Sequence, residues 1–585
     1  MKGLLFIALL LGYHTASAQY TIQKTNWNNA GYRGTKPSFT QVVNITAFGA
    51  DNTGVNASNT AFNNAVGSLN GKPGVIYFPA GSYSFNAAID IGRDSIILRG
   101  AGYDSTQLRF NLSGQVVNLI SISGTVSATD TAQLTSSGNR QSTIVAVNNA
   151  ASFHAGDWIS LTMDDQAFMT SAWAYGSLSQ TMQVQSVSGN NITLSSPLRF
   201  NYALTNRPVI RKVIPRNNVG IECLKIQRLD ATSGQSSNIA FDRAVNCWVN
   251  GIESDTTNFA HIEINHAANV EVTNSYFHDA FAYGGNGQAY GVLLQFGSNE
   301  CKVEANYFRH LRHSMLLQAG ANGNVLGYNY SVNPFWTEPN LPDSSAGDIV
   351  LHGNWPFMNL AEGNFIRNIV IDDSHGKNGT FNTFLRNRAD GYGIFMNFNP
   401  ATDSVQFIGN EITNTQIGLN FLQGVGHTAY GNNYRGTFTS GNANIPDTSL
   451  YLLPGQKPPC ASGYDSWPVA GRPNGYNTGT IYARARVLVG APAACSCVNI
   501  PPTRVSNMSK TNSFMLYPNP AYDHVVLQAK NVQADRLELY NMAGDLVLLL
   551  HKPGTVIDVR HLPPGLYIAR IIAGDTVSVQ KLQKH

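Results

Sequence analysis

The chain has 585 residues, 12% of them charged, and a formal net charge of +3 at neutral pH. This balance excludes binding to nucleic acid or to an anionic membrane surface through overall charge, because such binding needs many more basic residues. The length suits two or three domains, and the 54 glycines and scarce charges indicate a surface of uncharged polar side chains.

Residues 1–18 predict a secretory signal peptide. Lys2 precedes a short apolar run from Leu4 to Leu11, and the small residues Ala16 to Ala18 follow. A basic start, a short apolar stretch and an A-x-A site are typical of a signal peptide, so we expect cleavage before Gln19. No later stretch reaches the roughly 18 uninterrupted apolar residues of a membrane span. The sequence therefore predicts an exported protein without a transmembrane segment.

Residues 19–114 contain three motifs in succession. They are Phe48–Gly54 (FGADNTG), Gly74–Tyr83 (GVIYFPAGSY) and Ile96–Gly102 (IILRGAG). Together they resemble the start of the β-helix in the pectate-lyase superfamily, which is related to glycoside hydrolase family 28. The resemblance implies an all-β fold, a right-handed parallel β-helix whose open end is capped by a short helix around Asn59–Ala65. Such an end needs a cover because it exposes apolar side chains and unpaired strand edges.

Residues 115–215 interrupt this pattern. Ser142–Val147, Gly156–Leu161 and Gln183–Val187 are short β-rich runs, and Asn190 begins a tight turn into another. Short alternating runs bounded by turn residues predict strands, so we expect a small β-module inserted into the solenoid.

An asparagine recurs at a fixed spacing within residues 216–440. The intervals are 23 residues in the series Asn364, Asn387, Asn410, Asn433 and in the pair Asn306, Asn329, and 24 residues in the pair Asn250, Asn274. A period of this size indicates a solenoid, and the lack of helical periodicity favours β-helix coils. Each asparagine is then predicted at the same bend of its coil, bonded to the asparagines above and below.

Candidate site residues follow from this register. His278 is predicted to stack on His310, and His352 on His375. The loops 281–289 and 333–347 are long insertions, and long loops on a solenoid are where binding sites form. Glu263, Gln295 and Gln318 are predicted to form a polar line. We expect substrate contacts from His278, Asp279, Gln295, Gln318, Trp336, Glu338 and His352.

Two reactions fit these residue types. In β-elimination from a uronate polymer, Arg309 or Arg312 binds the substrate carboxylate, and His310 or His313 removes the adjacent proton. Arginine suits this role because it binds carboxylates in a bidentate manner.

The second reaction is glycoside hydrolysis by two carboxylates. The candidates for this role are Asp372 and Asp373 beside His375, with Asp348, Asp279 and Glu338 as further carboxylates. The motif sets of pectate lyases and polygalacturonases are missing, so no catalytic residues are carried over from those families. We favour a secreted, monomeric polysaccharide lyase over a hydrolase, and a non-catalytic glycan-binding adhesin remains the alternative. No cofactor or metal site is assigned, and Ca²⁺ stays open because no ligand set stands out.

Residues 441–512 are rich in Gly, Pro, Ser and Thr and are predicted to form a last coil remnant and a linker. In an exported protein we expect Cys460 to form a disulfide with Cys495 or Cys497. Cys223 and Cys247, one coil apart, either stack as apolar side chains or form a bridge.

Residues 513–585 predict a small β-sandwich, because alternating strands are separated by turn residues. Leu516–Pro520 (LYPNP), Leu537–Gly544 (LELYNMAG) and Leu562–Ile568 (LPPGLYI) resemble the C-terminal sorting domain of the type IX secretion system of Bacteroidota. The resemblance implies handling by the type IX machinery, export through the outer membrane, and release or attachment at the cell surface.

Overall fold

The computed structural model of the protein describes residues 20–285, 287–396, 402–460, 467–470, 479–497, 514–529, 533–541, 546–573 and 576–585. The predicted signal peptide lies outside these residues. The chain forms two compact units that divide at residue 502. None of the helices in the described ranges combines the length and hydropathy needed to span a bilayer.

The first unit is a parallel β-helix, as predicted, and its coils present three faces built from parallel strands. Face 1 consists of Val42–Asn44, Gly74–Phe78, Ile96–Gly100, Val219–Glu222, Trp248–Asn250, Glu271–Thr273, Lys302–Glu304, Val325–Gly327, Leu360–Glu362, Thr383–Leu385, Gln406–Ile408 and Thr428–Tyr430.

Face 2 consists of Thr53–Ala57, Gly81–Phe85, Thr106–Phe110, Lys225–Arg228, Glu253–Thr257, Tyr276–Ala280, Tyr307–Arg309, Tyr330–Val332, Glu411–Ile412, Asn433–Tyr434 and the antiparallel Thr437–Phe438. Face 3 consists of Ile89–Asp90, Ile120–Ser123, Ile239–Asp242, Ala260–Asn265, Tyr290–Gln295, His313–Leu317, Ile349–Leu351 and Leu419–Phe421. Phe365–Ile371 and Arg388–Met396 are long enough to bend from face 2 onto face 3. Arg216–Asn217 and Ala244–Val245 form a separate short parallel pair.

The open end of the solenoid is covered by the helix Asn59–Ser68, which confirms the predicted cap. Its buried Phe62 packs against Phe78 and Phe85 of the first coil, with ring centroids 6.4 and 6.5 Å apart. The other helices among the described residues are the α-helix Tyr482–Leu488 and the 3-10 turns Trp27–Asn29, Ile45–Phe48, Ala172–Ala174, Leu204–Asn206 and Asp343–Ser345.

The asparagine ladder is present, with three corrections to its predicted members. It runs through Asn306, Asn329, Asn364, Asn387, Asn410 and Asn432, and each Oδ1 accepts hydrogen bonds from the asparagine of the coil before. Asn433 was predicted but lies one residue beyond the ladder. Asn274 is also displaced, because the backbone N–H of Ser275 donates to Asn306. Asn250 pairs with Thr273 and so lies outside the ladder too, although Asn274 donates to it at 3.1 Å. These shifts arise where the spacing of the asparagines differs from the length of the coil.

The predicted inserted module is an antiparallel sheet with its own apolar core. Its strands, in spatial order, are Ile144–Ala146, Asn191–Leu194, Gln180–Ser188, Trp158–Thr162, Val209–Ile214 and Thr125–Gln133. The segment 165–179, which connects two of these strands, carries the turn Ala172–Ala174 and faces the solenoid.

One disulfide attaches the segment after the coils to the solenoid, and a second lies within that segment. Cys460 pairs with Cys497, as one of the two predicted alternatives has it, and Cys495 pairs with Cys223. The alternative bridge between Cys223 and Cys247 is wrong, since Cys247 is a buried free thiol.

The second unit has two antiparallel sheets around a separate core. One contains Phe514–Tyr517, His524–Ala529 and Val556–Asp558, and the other contains Leu546–His551, Arg536–Asn541, Gly565–Ala573 and Thr576–Lys584. This arrangement agrees with the predicted β-sandwich.

Candidate functional site

A groove of about 640 Å³ lies over face 3. Its floor is formed by side chains at the ends of successive face-3 strands, and one wall includes Trp173 from the inserted module. Parallel pairing aligns Leu294, Leu317, Leu351 and Ile371 on consecutive coils, so the residue after each of them occupies the same position in the groove.

A chain of hydrogen bonds runs along this floor from Glu263 to His352. The Gln295 amide donates to Glu263 (3.2 Å), and the Gln318 amide donates to Gln295 (2.6 Å). His352 Nδ1 lies 3.1 Å from Gln318 Oε1, and its Nε2 lies 3.3 Å from Asp372. Because the amide nitrogen of Gln318 already donates to Gln295, its oxygen must accept, which assigns a proton to His352 Nδ1. The structure thus contains the predicted polar line, although Glu263 pairs with Leu293 and reaches Gln295 only through its side chain. A further hydrogen bond extends the line to His352, whose Nε2 faces Asp372.

His352 is neutral at physiological pH. Burial lowers its pKa to about 4, an effect opposed by Asp372 and reinforced by the neighbouring His375 and Arg312. The His375 ring contacts the His352 ring at a centroid distance of 4.8 Å and remains partly exposed to the groove. The predicted contact is therefore present, but the rings are tilted, and Asp372 occupies the position equivalent to His352.

Arg312 is the cationic side chain among the described lining residues of the groove. Its guanidinium carbon lies 5.9 Å from the centre of the Tyr290 ring, and its Nε is buried with no hydrogen-bond partner. It forms no ion pair with any described residue. An arginine held in this way is suited to bind an incoming anion.

The predicted cluster from Arg309 to His313 is divided between two sides of the solenoid. Arg309 lies on face 2, where it bonds Asp279 (2.9 Å) and the Tyr276 hydroxyl (2.8 Å). His310 packs beside Tyr283, with a centroid distance of 4.8 Å. His313 is buried on face 3 with Nδ1 3.1 Å from the Gly347 carbonyl, and burial holds its pKa well below 6.5.

The predicted stacking of His278 on His310 is wrong. Strand pairing aligns His278 with Arg309 instead. His278 Nδ1 lies 2.8 Å from Asp279, and its Nε2 lies 3.1 Å from Glu253. Burial opposes protonation, but the hydrogen bonds to these two carboxylates raise the pKa of His278.

Glu253, Asp255 and His278 place ligand atoms within 4.8 Å of one another, a spacing that could hold a cation. The Lys225 ammonium lies 2.7 Å from Glu253 and 2.8 Å from Asp255 and neutralises both carboxylates. This arrangement favours an ion-pair network over a Ca²⁺ site.

The carboxylates predicted for hydrolysis are dispersed. Of these, Asp372 lines the groove. The other carboxylate among the described lining residues is Glu263, and four strand spacings of about 4.8 Å separate the two, or about 19 Å, whereas glycosidases need roughly 5–9.5 Å. Asp373 points away from the groove and bonds Asn378 (2.8 Å) and the backbone of Thr402 (3.0 Å). Asp348 is fully buried within the coils.

The loop predicted to bind substrate lies at the rim. Trp336 donates to the Pro342 carbonyl at 2.9 Å, and the N–H of Thr337 donates to the Tyr283 carbonyl at 3.2 Å, so the two insertions contact each other. Glu338 and Trp336 are not among the described residues that line the groove.

Trp173 and Tyr290 line the groove and were missed from the sequence. Tyr290 begins a face-3 strand, so only the correct register could have placed it beside Arg312. Trp173 belongs to the inserted module, and its position depends on how the module docks. A tryptophan between two alanines in a connecting segment was the available signal.

Two parts of the chain match models of known protein families. Residues 42–156 match the family model described as rhamnogalacturonase A/epimerase, pectate lyase-like. Residues 515–585 match the secretion system C-terminal sorting domain. The chain carries a type IX sorting domain. It is therefore a protein sorted for secretion or for display at the outer surface. No curated protein sequence matches the chain.

A solved structure shares its solenoid fold, and others are similar over part of the chain. The tailspike gp49 of Pseudomonas phage LKA1 is 17% identical with a TM-score of 0.50, covering 63% of this chain. This chain spans 64% of that tailspike's length. A double mutant of the tailspike of E. coli bacteriophage HK620 is 11% identical (TM-score 0.39, covering 69% and 64% of the two chains). The surface adhesin PfbA of Streptococcus pneumoniae is 9% identical (TM-score 0.35, covering 68% and 91%).

Proposed function

We propose that the groove over face 3 binds an acidic, uronate-containing polysaccharide and cleaves it by β-elimination. The observation that carries this proposal is Arg312, whose guanidinium lies in the groove without a carboxylate partner among the described residues. The neighbouring His352 is neutral and does not compete for an anion. A uronate carboxylate is the anion that would complete this site. The pectate-lyase-like match over residues 42–156 supports a glycan as the ligand.

In the proposed reaction Arg312 binds the carboxylate on C5 of the uronate. Its charge stabilises the negative charge that develops there when the C5 proton leaves. His375, partly exposed beside His352, takes that proton. The electron pair then forms the C4–C5 double bond, the glycosidic oxygen leaves C4, and water protonates the leaving oxygen.

His375 takes the place of the histidines predicted from sequence as the base. His313 is enclosed on face 3, and His310 lies with Arg309 on the side of face 2. His352 is nearer the floor, where its two ring nitrogens face Gln318 and Asp372, so we assign it to positioning the groove's polar line.

The test uses polygalacturonate, alginate, hyaluronan and chondroitin, with ultraviolet absorbance of the unsaturated product as the readout. We expect Arg312→Ala and His375→Ala each to reduce the rate by about 100-fold or more. Arg309→Ala is the matched control, because it removes an arginine of the same sequence cluster that lies on face 2. It should retain the activity.

Other results would refute these roles or favour a different function. Full activity in both Arg312→Ala and His375→Ala would refute these roles. A rise in reducing sugar without absorbance would indicate hydrolysis, and binding without either product would favour an adhesin.

A further inference from the structure

The inserted module presents a tryptophan to the groove. Trp173 is 47% exposed, although large aromatic side chains in this chain are mostly buried. Its ring meets the rings of Phe296 and His375 edge-on, with both centroids 6.0 Å away. His266 stacks on the far side of Phe296 at 5.3 Å. An aromatic wall thus runs beside the polar floor.

The segment that carries Trp173 is fixed in place. The Asn354 side chain accepts the backbone N–H groups of Thr170 (2.9 Å) and Ser171 (3.0 Å). The Asp165 carboxylate accepts those of Gly176 and Leu178, both at 2.8 Å. These bonds at both ends of the turn hold the indole before any ligand arrives.

Glycines on the solenoid allow this close docking. A Cβ at Gly320 would lie 2.0 Å from the Ser177 carbonyl oxygen, and one at Gly376 would lie 1.8 Å from the Thr170 hydroxyl. Both glycines have positive φ, 71° and 85°. Any other residue would push the segment away from the groove.

Phe296 supports the same interpretation. It has a φ of 52° at a coil corner where a later coil has Gly353. A bulky side chain is unfavourable in this conformation, and here the phenyl ring supports Trp173.

We propose that Trp173 is a sugar-stacking residue and that the inserted module forms the second wall of an extended glycan subsite. The C–H groups on one face of a pyranose ring are slightly positive and pack on the negative face of an indole. The amides of Gln295 and Gln318 below offer further donors and acceptors to the hydroxyl groups. Because the indole is held in advance, little conformational freedom is lost on binding. This inference rests on the proposed site but not on the reaction at that site.

Retardation of the full chain in native gels containing polygalacturonate, alginate or hyaluronan tests the proposal. We expect Trp173→Ala to raise Kd about tenfold, equal to about 1.4 kcal/mol and typical of one aromatic contact. Trp173→Phe should raise Kd by less, because phenylalanine keeps an aromatic ring. Tyr175→Ala is the matched control, because Tyr175 is in the same segment, is 46% exposed and does not line the groove.

Equal retardation of Trp173→Ala and Tyr175→Ala would overturn the subsite while leaving the roles of Arg312 and His375 intact. Weakened binding by Trp173→Ala in a protein that forms no unsaturated product would support the subsite and refute elimination. If the unaltered protein is retarded by none of the three polymers, both the proposed function and the sugar-stacking subsite are refuted.

Discussion

Asp348 illustrates how individual buried carboxylates act in this protein. Its Oδ2 accepts the backbone N–H groups of Arg367 (2.9 Å) and Asn368 (2.7 Å), and its Oδ1 accepts the Ser331 hydroxyl. Burial raises its pKa from 3.8 to about 6, against these hydrogen bonds, which lower it. A fully enclosed carboxylate of this kind secures a bend and has no access to a polymer.

We predict that Asp348→Asn keeps the fold and changes its pH dependence. The pKa of Asp348 is higher in the folded state, so the stability of the natural protein falls as pH rises from about 4 through about 6. Asparagine does not ionise, so the variant does not lose stability in this way as pH rises. The advantage of the variant should grow by about 3 kcal/mol between pH 3 and pH 7.5, as measured by urea unfolding.

Asp348→Ala provides the control. It leaves two buried N–H groups without acceptors, so it should lower the free energy of unfolding at every pH. Cleavage activity should survive in Asp348→Asn. Loss of activity in a folded Asp348→Asn protein would return Asp348 to the catalytic candidates.

At the scale of the coil, spacing predicts position only while coil length is constant. Gln295 and Gln318 are 23 residues apart and occupy equivalent positions, as predicted. The coil that carries the insertion 281–289 pairs His278 with Arg309, 31 residues later, whereas the asparagine spacing implied 32. One residue moves a side chain to the other side of a strand, which is why that predicted histidine pair failed.

The ladder makes a second prediction. Asn364 accepts from Asn329 and donates to Asn387 and to the Leu326 carbonyl, whereas the side chain of Asn433 accepts one bond, from Gly436. Asn364→Ala should lower the free energy of unfolding by at least about 3 kcal/mol, and Asn433→Ala by about 1 kcal/mol. Chemical denaturation of the two variants measures this, and equal losses would contradict the ladder register.

At the scale of the whole molecule, sequence motifs predicted the solenoid, the inserted module and the sorting domain, because each depends on local periodicity or on a motif. The groove was predicted only in part. Its polar floor follows from repeats, but its wall requires the module to dock on glycines such as Gly320. The separation of Arg309 from Arg312 also depends on where the chain turns between faces. Such tertiary contacts leave no periodic pattern in the sequence, so they could not be predicted from it.

The central claim is that the groove over face 3 is where the polymer binds. The most direct measurement is a crystal structure of the His375→Ala variant with a bound acidic oligosaccharide from the polymer that the protein cleaves. We expect the sugar chain to lie over Gln295 and Gln318 with a carboxylate within hydrogen-bonding distance of Arg312. An oligosaccharide bound on face 2 at the His278 cluster, with the groove empty, would contradict the account.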